Sequence, residues 1–200
     1  MSAAAGRTLL LATHNHHKTR EFERLLAGGA QPWRVEPLAD AVELPPEDGT
    51  TFAENALGKA RAAAAAAGRP AFADDSGIAA DALGGAPGVR SARYAGEHAT
   101  DEQNLARLLR EAPAGSGLEY VCAIAYVDPD SGVEQLFEGR CRGTLSDRPR
   151  GTRGFGYDPA FVPDDDAGGR TMAELDDDEK DRISHRGRAA RALLEWLEGG

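Results

Sequence analysis

The chain alternates short apolar runs with polar breaks, and the spacing within each run separates strands from helices. Thr8-Leu9-Leu10-Leu11-Ala12 is a continuous apolar run that stops at polar residues, as a buried strand does before a loop. Beyond Thr13-His14-Asn15-His16-His17-Lys18, the apolar residues Phe22, Leu25 and Leu26 fall at helical spacing, which predicts a helix from near His17 to Gly28-Gly29. A short strand around Trp33 and Val35 is expected within Gln31 to Val42, before Pro45-Pro46-Glu47-Asp48-Gly49 breaks the chain. Thr51 to Ala67 is rich in alanine and other helix formers and meets a stop at Gly68-Arg69-Pro70, so a long helix is predicted there. Ala71-Phe72-Ala73 reads as the next strand, running into a polar turn at Asp74-Asp75-Ser76-Gly77.

In the second half, Thr100-Asp101-Glu102-Gln103 has the form of a capping box ahead of Leu105, Leu108 and Leu109, placing a helix at about 101 to 111. Glu119 to Val127 and Val133 to Gly143 are strand-like and joined by the turn-rich Asp128-Pro129-Asp130-Ser131-Gly132, so they should pair antiparallel. Ser184 is placed to cap a final helix with Ala190, Leu193, Leu194 and Leu197 on its apolar face. Helices mixed with strands and a hairpin imply a mixed-sheet α/β domain, with both polar loops able to face one cleft.

Composition narrows the function. Two hundred residues, 41% hydrophobic and 28% charged, suit one domain or one domain with two lobes. The apolar stretches fall short of the roughly 18 residues a membrane span needs, and the start Met1 to Arg7 has no apolar signal-like region, so a cytoplasmic protein is expected. Cys122 and Cys141 lie apart in strand-like segments, which suggests neither a disulfide framework nor a zinc knuckle. A net charge of −10 argues against a nucleic-acid polymer as partner but leaves a mononucleotide open, since a few cationic groups, a helix start and a divalent cation suffice for a small phosphorylated ligand. The acidic runs Asp164-Asp165-Asp166 and Asp176-Asp177-Asp178-Glu179 lack the spacing of a calcium loop and read as solvated or helix-start charge.

Four segments carry candidate chemistry. Thr13 to Lys18 combines hydroxyl, amide and ammonium groups at a helix start, which is either a phosphate cradle or an ordinary capped turn; it is no Walker A motif. Asp74-Asp75-Ser76-Gly77 is either a magnesium and general-base site, with Glu47 or Glu54 adding a carboxylate, or a plain Asx turn. Gly151 to Pro159 is a Gly-rich turn whose Phe155 and Tyr157 either pack or offer flat faces to a base. Lys180, His185 and Arg186 are donors near the last helix start, solvated by default.

Together these segments resemble the non-canonical purine nucleoside triphosphate pyrophosphatases, also called inosine triphosphatases. The resemblance rests on Leu11-Ala12-Thr13 through Lys18, Thr51-Phe52-Ala53-Glu54-Asn55-Ala56 with Lys59-Ala60, Ala73 to Gly77, Leu83 to Val89 with Ser91-Ala92-Arg93-Tyr94, Gly154 to Pro159, and Ile183 to Gly187. It implies an elongated mixed sheet flanked by helices in two lobes, a central nucleotide cleft, and a homodimer. It further implies that Thr13, His14, Asn15, His16, His17 and Lys18 bind the triphosphate, and that Asp75 is the catalytic base. Magnesium would lie near Asp75, Asp74 and Glu47. Ser76, Phe155, Gly156, Tyr157, Asp158, Lys180, His185 and Arg186 would line the nucleotide site. Glycine usually stands in this family where His14 and His17 stand here. The expected reaction is hydrolysis of ITP, dITP or XTP to the monophosphate and pyrophosphate. The alternatives are a Maf-like pyrophosphatase acting on other bases and a nucleotide sensor without turnover.

Overall fold

The computed structural model describes residues 7–29 and 32–199; Met1 to Gly6, and Gln31 at the head of the second strand segment, lie outside the described residues. The elements are β1 (Thr8–Leu11), α1 (His16–Ala27), β2 (Arg34–Pro37), α2 (Phe52–Ala67), β3 (Ala71–Ala80), α3 (Asp101–Glu111), β4 (Gly117–Asp128), β5 (Val133–Leu145), β6 (Phe161–Pro163), α4 (Asp177–Ile183) and α5 (His185–Gly199). The sheet order is β2-β1-β3-β4-β5-β6. β1 runs parallel to both β2 and β3, while β5 and β6 are antiparallel, with Thr144 opposite Val162. Four residues join β4 to its neighbour β5, too few for a parallel crossover, so these strands form the antiparallel hairpin expected from the sequence. The sheet is therefore mixed.

One expectation is corrected. Asp74-Asp75-Ser76-Gly77 forms no turn: β3 continues through it to Ala80. Polar residues in mid-strand imitate a break when read locally, but this strand is buried along most of its length and its ladder has no reason to stop there.

The helix ends follow from their caps. Asn15 accepts from the N–H groups of His17 and Lys18 at the start of α1; Thr51 and Thr100 form capping boxes with Glu54 and Gln103; Gly68 closes α2 in the left-handed conformation. Ser184 Oγ accepts from Gly187 N–H at 3.1 Å, capping α5. The run Asp176 to Glu179 is a capping box that starts α4, which is the helix-start reading of that acidic segment.

The chain divides into two compact units, one comprising residues up to Asp75, Ala123–Glu138 and from Ala189 on, the other Ser76–Cys122 and Gly139–Arg188. In the first, Ala56, Ala60, Ala63 and Ala64 of α2 pack against Leu10, Ala71, Ala73, Ala123 and Ala125 of the sheet. In the second, Leu105 and Leu108 of α3 join Ile78, Leu118, Tyr120, Cys141, Phe161, Met172 and Leu175. Both cysteines are buried free thiols. Among the described residues no helix is long and apolar enough to cross a membrane.

Candidate active site

Strand alternation divides the acidic pair of the first unit. Odd-numbered Ala71 and Ala73 face α2, and Asp75 follows them; Phe72 turns the other way, its ring 5.2 Å edge-on from Phe22 of α1, and Asp74 follows it. Lys18 lies one helical turn before Phe22, so as Phe22 reaches Phe72, Lys18 reaches Asp74, Nζ to Oδ1 at 3.1 Å. On the α2 side, Asn55 and Lys59 are likewise one turn apart. Asn55 Nδ2 donates to Asp75 Oδ2 at 2.8 Å, and Lys59 Nζ stands 3.8 Å from Asp75 Oδ1 while holding Glu47 in a short ion pair.

The carboxylate pair gathered on one ammonium is therefore Glu47 with Asp75, rather than the adjacent Asp74 and Asp75 that the tetrapeptide suggested. Glu54 is taken up elsewhere, accepting from Thr50 and Thr51 at the head of α2.

These positions set the electrostatics. Burial pushes the Asp75 carboxyl above the usual range, against the pull of Lys59. Burial also opposes charge on Glu47, but Lys59 outweighs it and holds that carboxyl below its ordinary value. Lys59 is buried too, yet Asp75, Asp74 and Glu47 raise its pKa, so it stays an ammonium and is no base near neutrality. Three carboxylates face two ammoniums, leaving an excess negative charge when all are ionised. A buried carboxylate with a raised pKa has the character of a general base.

Asn55 is oriented by two opposed bonds: its amide oxygen accepts from Gly49 N–H at 2.8 Å and its Nδ2 donates to Asp75. A Cβ on Gly49 would fall 2.6 Å from that oxygen. Gly49→Ala is therefore expected to displace Asn55 and lower turnover by about tenfold or more. Steady-state kinetics beside thermal melting checks this, and unchanged kcat in a folded variant contradicts it.

The loop before α1 is less open than its sequence suggests. Asn15 Oδ1 takes the N–H groups of His17 at 2.9 Å and Lys18 at 3.2 Å; Thr13 N–H bonds Leu11 O, and Asn15 N–H bonds Thr13 Oγ1. A phosphate at this helix start competes with Asn15 for two donors. His14, His16 and His17 are exposed, His14 Nε2 lying 3.2 Å from Val42 O. No non-glycine residue among those described has a positive φ, so histidine at positions 14 and 17 carries no backbone strain.

The second unit gathers the remaining candidates around Asp158. Its Oδ2 accepts from Lys180 Nζ at 2.8 Å and Phe155 N–H at 3.0 Å, and its Oδ1 from the Tyr120 hydroxyl at 3.2 Å. The loop makes this approach with Gly154 at φ +71°, where a side chain would run into the Asp158 carboxylate. Gly156 N–H bonds Asp101 at the start of α3. The half-buried Phe155 ring has Lys180 Nζ at 5.5 Å and Arg186 Cζ at 5.6 Å from its centroid. Arg186 Nη2 donates to Ser76 Oγ at 2.8 Å. Lys180, His185 and Arg186 are all buried, which overturns the default of solvated surface charge.

Of the two alternatives for the aromatics of the Gly-rich turn, Tyr157 takes the packing one. Tyr157 lies in the packed core with its hydroxyl on Ser91 O at 2.7 Å, leaving Phe155 as the more open ring. Sequence reasoning assigned no role to Asn55, Lys59 or Tyr120. The signal for the first two was polar residues at i and i+4 on the otherwise alanine face of α2; Tyr120, within a strand-like apolar run, gave none.

The described side chains contain no group of three or more His, Cys, Asp or Glu arranged to hold a metal. The carboxylates of Glu47 and Asp75 are hard oxygen donors and do fit magnesium, whose sites typically take one or two carboxylates with water and phosphate oxygens.

The chain is similar to known proteins along nearly its whole length. A curated dITP/XTP pyrophosphatase from Gloeobacter violaceus is 49% identical over 97% of this chain and 96% of its own length. One from Symbiobacterium thermophilum is 52% identical over 94% of each. Among solved structures, a HAM1 protein from Coxiella burnetii superposes with a TM-score of 0.85 at 38% identity, covering 97% of this chain and all of that one. The nucleoside-triphosphatase / dITP/XTP pyrophosphatase from Mycobacterium abscessus gives 0.71 at 44% identity, over 94% of this chain and 98% of its own. Residues 9–196 match the Ham1 family, and with relatives of such identity along nearly the whole sequence the chain belongs to that family.

Proposed function

We propose that this chain is a hydrolase of dITP, XTP and ITP, releasing the nucleoside monophosphate and pyrophosphate and so clearing non-standard purines from the nucleotide pool. The observation that carries the chemistry is Asp75: a buried carboxylate, raised in pKa by that burial, oriented by Asn55 and flanked by Lys59 and Glu47. The relatives named dITP/XTP pyrophosphatase supply the substrate class.

Asp75 takes a proton from the attacking water as the water oxygen bonds to the α-phosphorus. The bond between that phosphorus and the bridging oxygen breaks, and pyrophosphate leaves with its electron pair. Lys18 and the Thr13 to His17 loop hold the β- and γ-phosphates together as that leaving group. Asp75 and Glu47 are the groups that would hold magnesium, which when bound supplies positive charge to the phosphate oxygens, while Asp74, on the other face of the strand, holds Lys18. In the second unit Phe155 offers its face to the base, and Lys180, His185 and Arg186 offer donors to the oxygen at C6. Ser76, Gly156, Tyr157 and Asp158 fix their places. We read the chain as one functional domain working as a cytoplasmic homodimer.

Adenine presents a donor at C6 where hypoxanthine and xanthine present an acceptor, and each desolvated donor left unpaired costs roughly 1 to 3 kcal/mol. Two such losses predict kcat/KM for ITP and XTP about a hundredfold or more above that for ATP. Incubation with magnesium and a panel of triphosphates, assaying pyrophosphate against orthophosphate, tests substrate and cleaved bond together. Nucleoside diphosphate with orthophosphate as first products, or equal turnover of ATP, overturns the reading.

A further inference from the structure

Tyr120 is buried in β4 and its ring lies on the imidazole of His185, centroids 4.4 Å apart and planes only 3° from parallel. The same ring is braced by Phe161 at 4.6 Å, and its hydroxyl is tied to Asp158, the carboxylate that also holds Lys180 and the Phe155 backbone. His185 is the first residue of α5 and is itself buried, and the Tyr120 ring is a flat surface lying along one face of its imidazole. One tyrosine thus touches both halves of the donor set: the imidazole through its face, and the Lys180–Asp158 pair through its oxygen.

We propose that Tyr120 is a specificity-determining positioning residue, which holds the His185 imidazole in the plane needed to meet the C6 oxygen of the base. The inference rests on the reading of His185 as a base-contacting donor. A donor free to swing out of plane bonds either an acceptor or, after turning, a water, and so separates hypoxanthine from adenine poorly; a donor pinned by stacking has no such escape. The face of the ring does this positioning, and the hydroxyl acts on Lys180, so the two contributions come apart by substitution.

The test compares ITP and ATP specificity constants in wild type, Tyr120→Phe, Tyr120→Met, His185→Ala and the Tyr120→Met/His185→Ala double variant. Tyr120→Met, which fills comparable space without a flat face, is expected to lower the ITP-to-ATP ratio by roughly three- to tenfold, whereas Tyr120→Phe keeps most of it. The double variant should lose no more than His185→Ala alone, because Tyr120 acts through His185. Proton NMR gives an independent readout: the His185 ring protons should resonate upfield in wild type and Tyr120→Phe, shielded by the stacked ring.

If His185→Ala leaves the ratio unchanged, the base-contact reading itself fails. If His185→Ala collapses the ratio while folded Tyr120→Met preserves it, the positioning role of Tyr120 is overturned. Should Tyr120→Met not fold, the absence of upfield His185 resonances in wild type overturns the proposal by itself.

Discussion

Asp75→Asn is expected to lose at least about a hundredfold in kcat and, above the carboxylate titration range, to melt no lower than the wild type. The two halves of this result share one cause. Burial raises the folded-state pKa of Asp75 above its unfolded value, so between those two values the folded protein holds a proton that the unfolded chain has released. Stability contributed by this group therefore falls as pH rises through that window, and the deficit stays constant once both states are ionised. Asparagine has the same shape and no charge to desolvate, and Glu47 remains to pair Lys59. The melting-temperature difference, variant minus wild type, should grow from near zero below about pH 4 to its full positive size above the raised pKa. Melting curves across pH on metal-free protein, beside steady-state kinetics with magnesium, measure both. A variant with full turnover, or one that melts lower than wild type at pH 8, contradicts the assignment.

Asp158→Ala is expected to cost the opposite way, in stability first. Lys180 and Asp158 form an ion pair with both side chains buried, and removing the carboxylate takes the counter-charge from a buried ammonium and the acceptor from the Phe155 N–H and the Tyr120 hydroxyl. Breaking a pair in such surroundings costs about 3 to 5 kcal/mol, which in a chain of this size lowers the melting temperature by roughly 6 to 20 °C. Turnover of ITP should fall as well, since Phe155 and Lys180 lose the group that places them. Replacing both partners, Asp158→Leu with Lys180→Met, should recover much of the melting temperature and none of the base preference. A double variant no more stable than Asp158→Ala would show that the buried ammonium is not the source of the loss.

Most of the elements were legible because their signals are local. The capping box at Thr100, the helical spacing of Phe22 and Leu26, the alanine-rich run from Thr51 to its stop at Gly68, and the turn after Asp128 each specify an element from neighbouring residues. The short β6 and α4 gave too little periodicity to be seen. The failure at Asp74 to Gly77 has a physical origin: a strand buried this deeply normally shows an unbroken apolar run, and here two carboxylates interrupt it. Candidate segments could be picked out where residues are adjacent, as in Thr13 to Lys18, but not where partners meet across the fold. Nothing in the sequence around Tyr120 points to His185, 65 residues later, and nothing around Asp74 and Asp75 says that one serves α1 and the other α2.

The alanine tract of α2 carries a further consequence, for how this protein tolerates change. Asparagine has a short reach, and Asn55 meets Asp75 only because the helix that bears it is separated from the sheet by single methyl groups at Ala56, Ala60, Ala63 and Ala64. Those methyls act as shims. A valine or leucine anywhere along that face thickens the spacer, tilts the helix and moves Asn55 and Lys59 together away from the strand, although it touches no substrate. Displacement of about an ångström at a reacting group costs on the order of a hundredfold in rate, so the plainest stretch of this sequence is among the least free to drift.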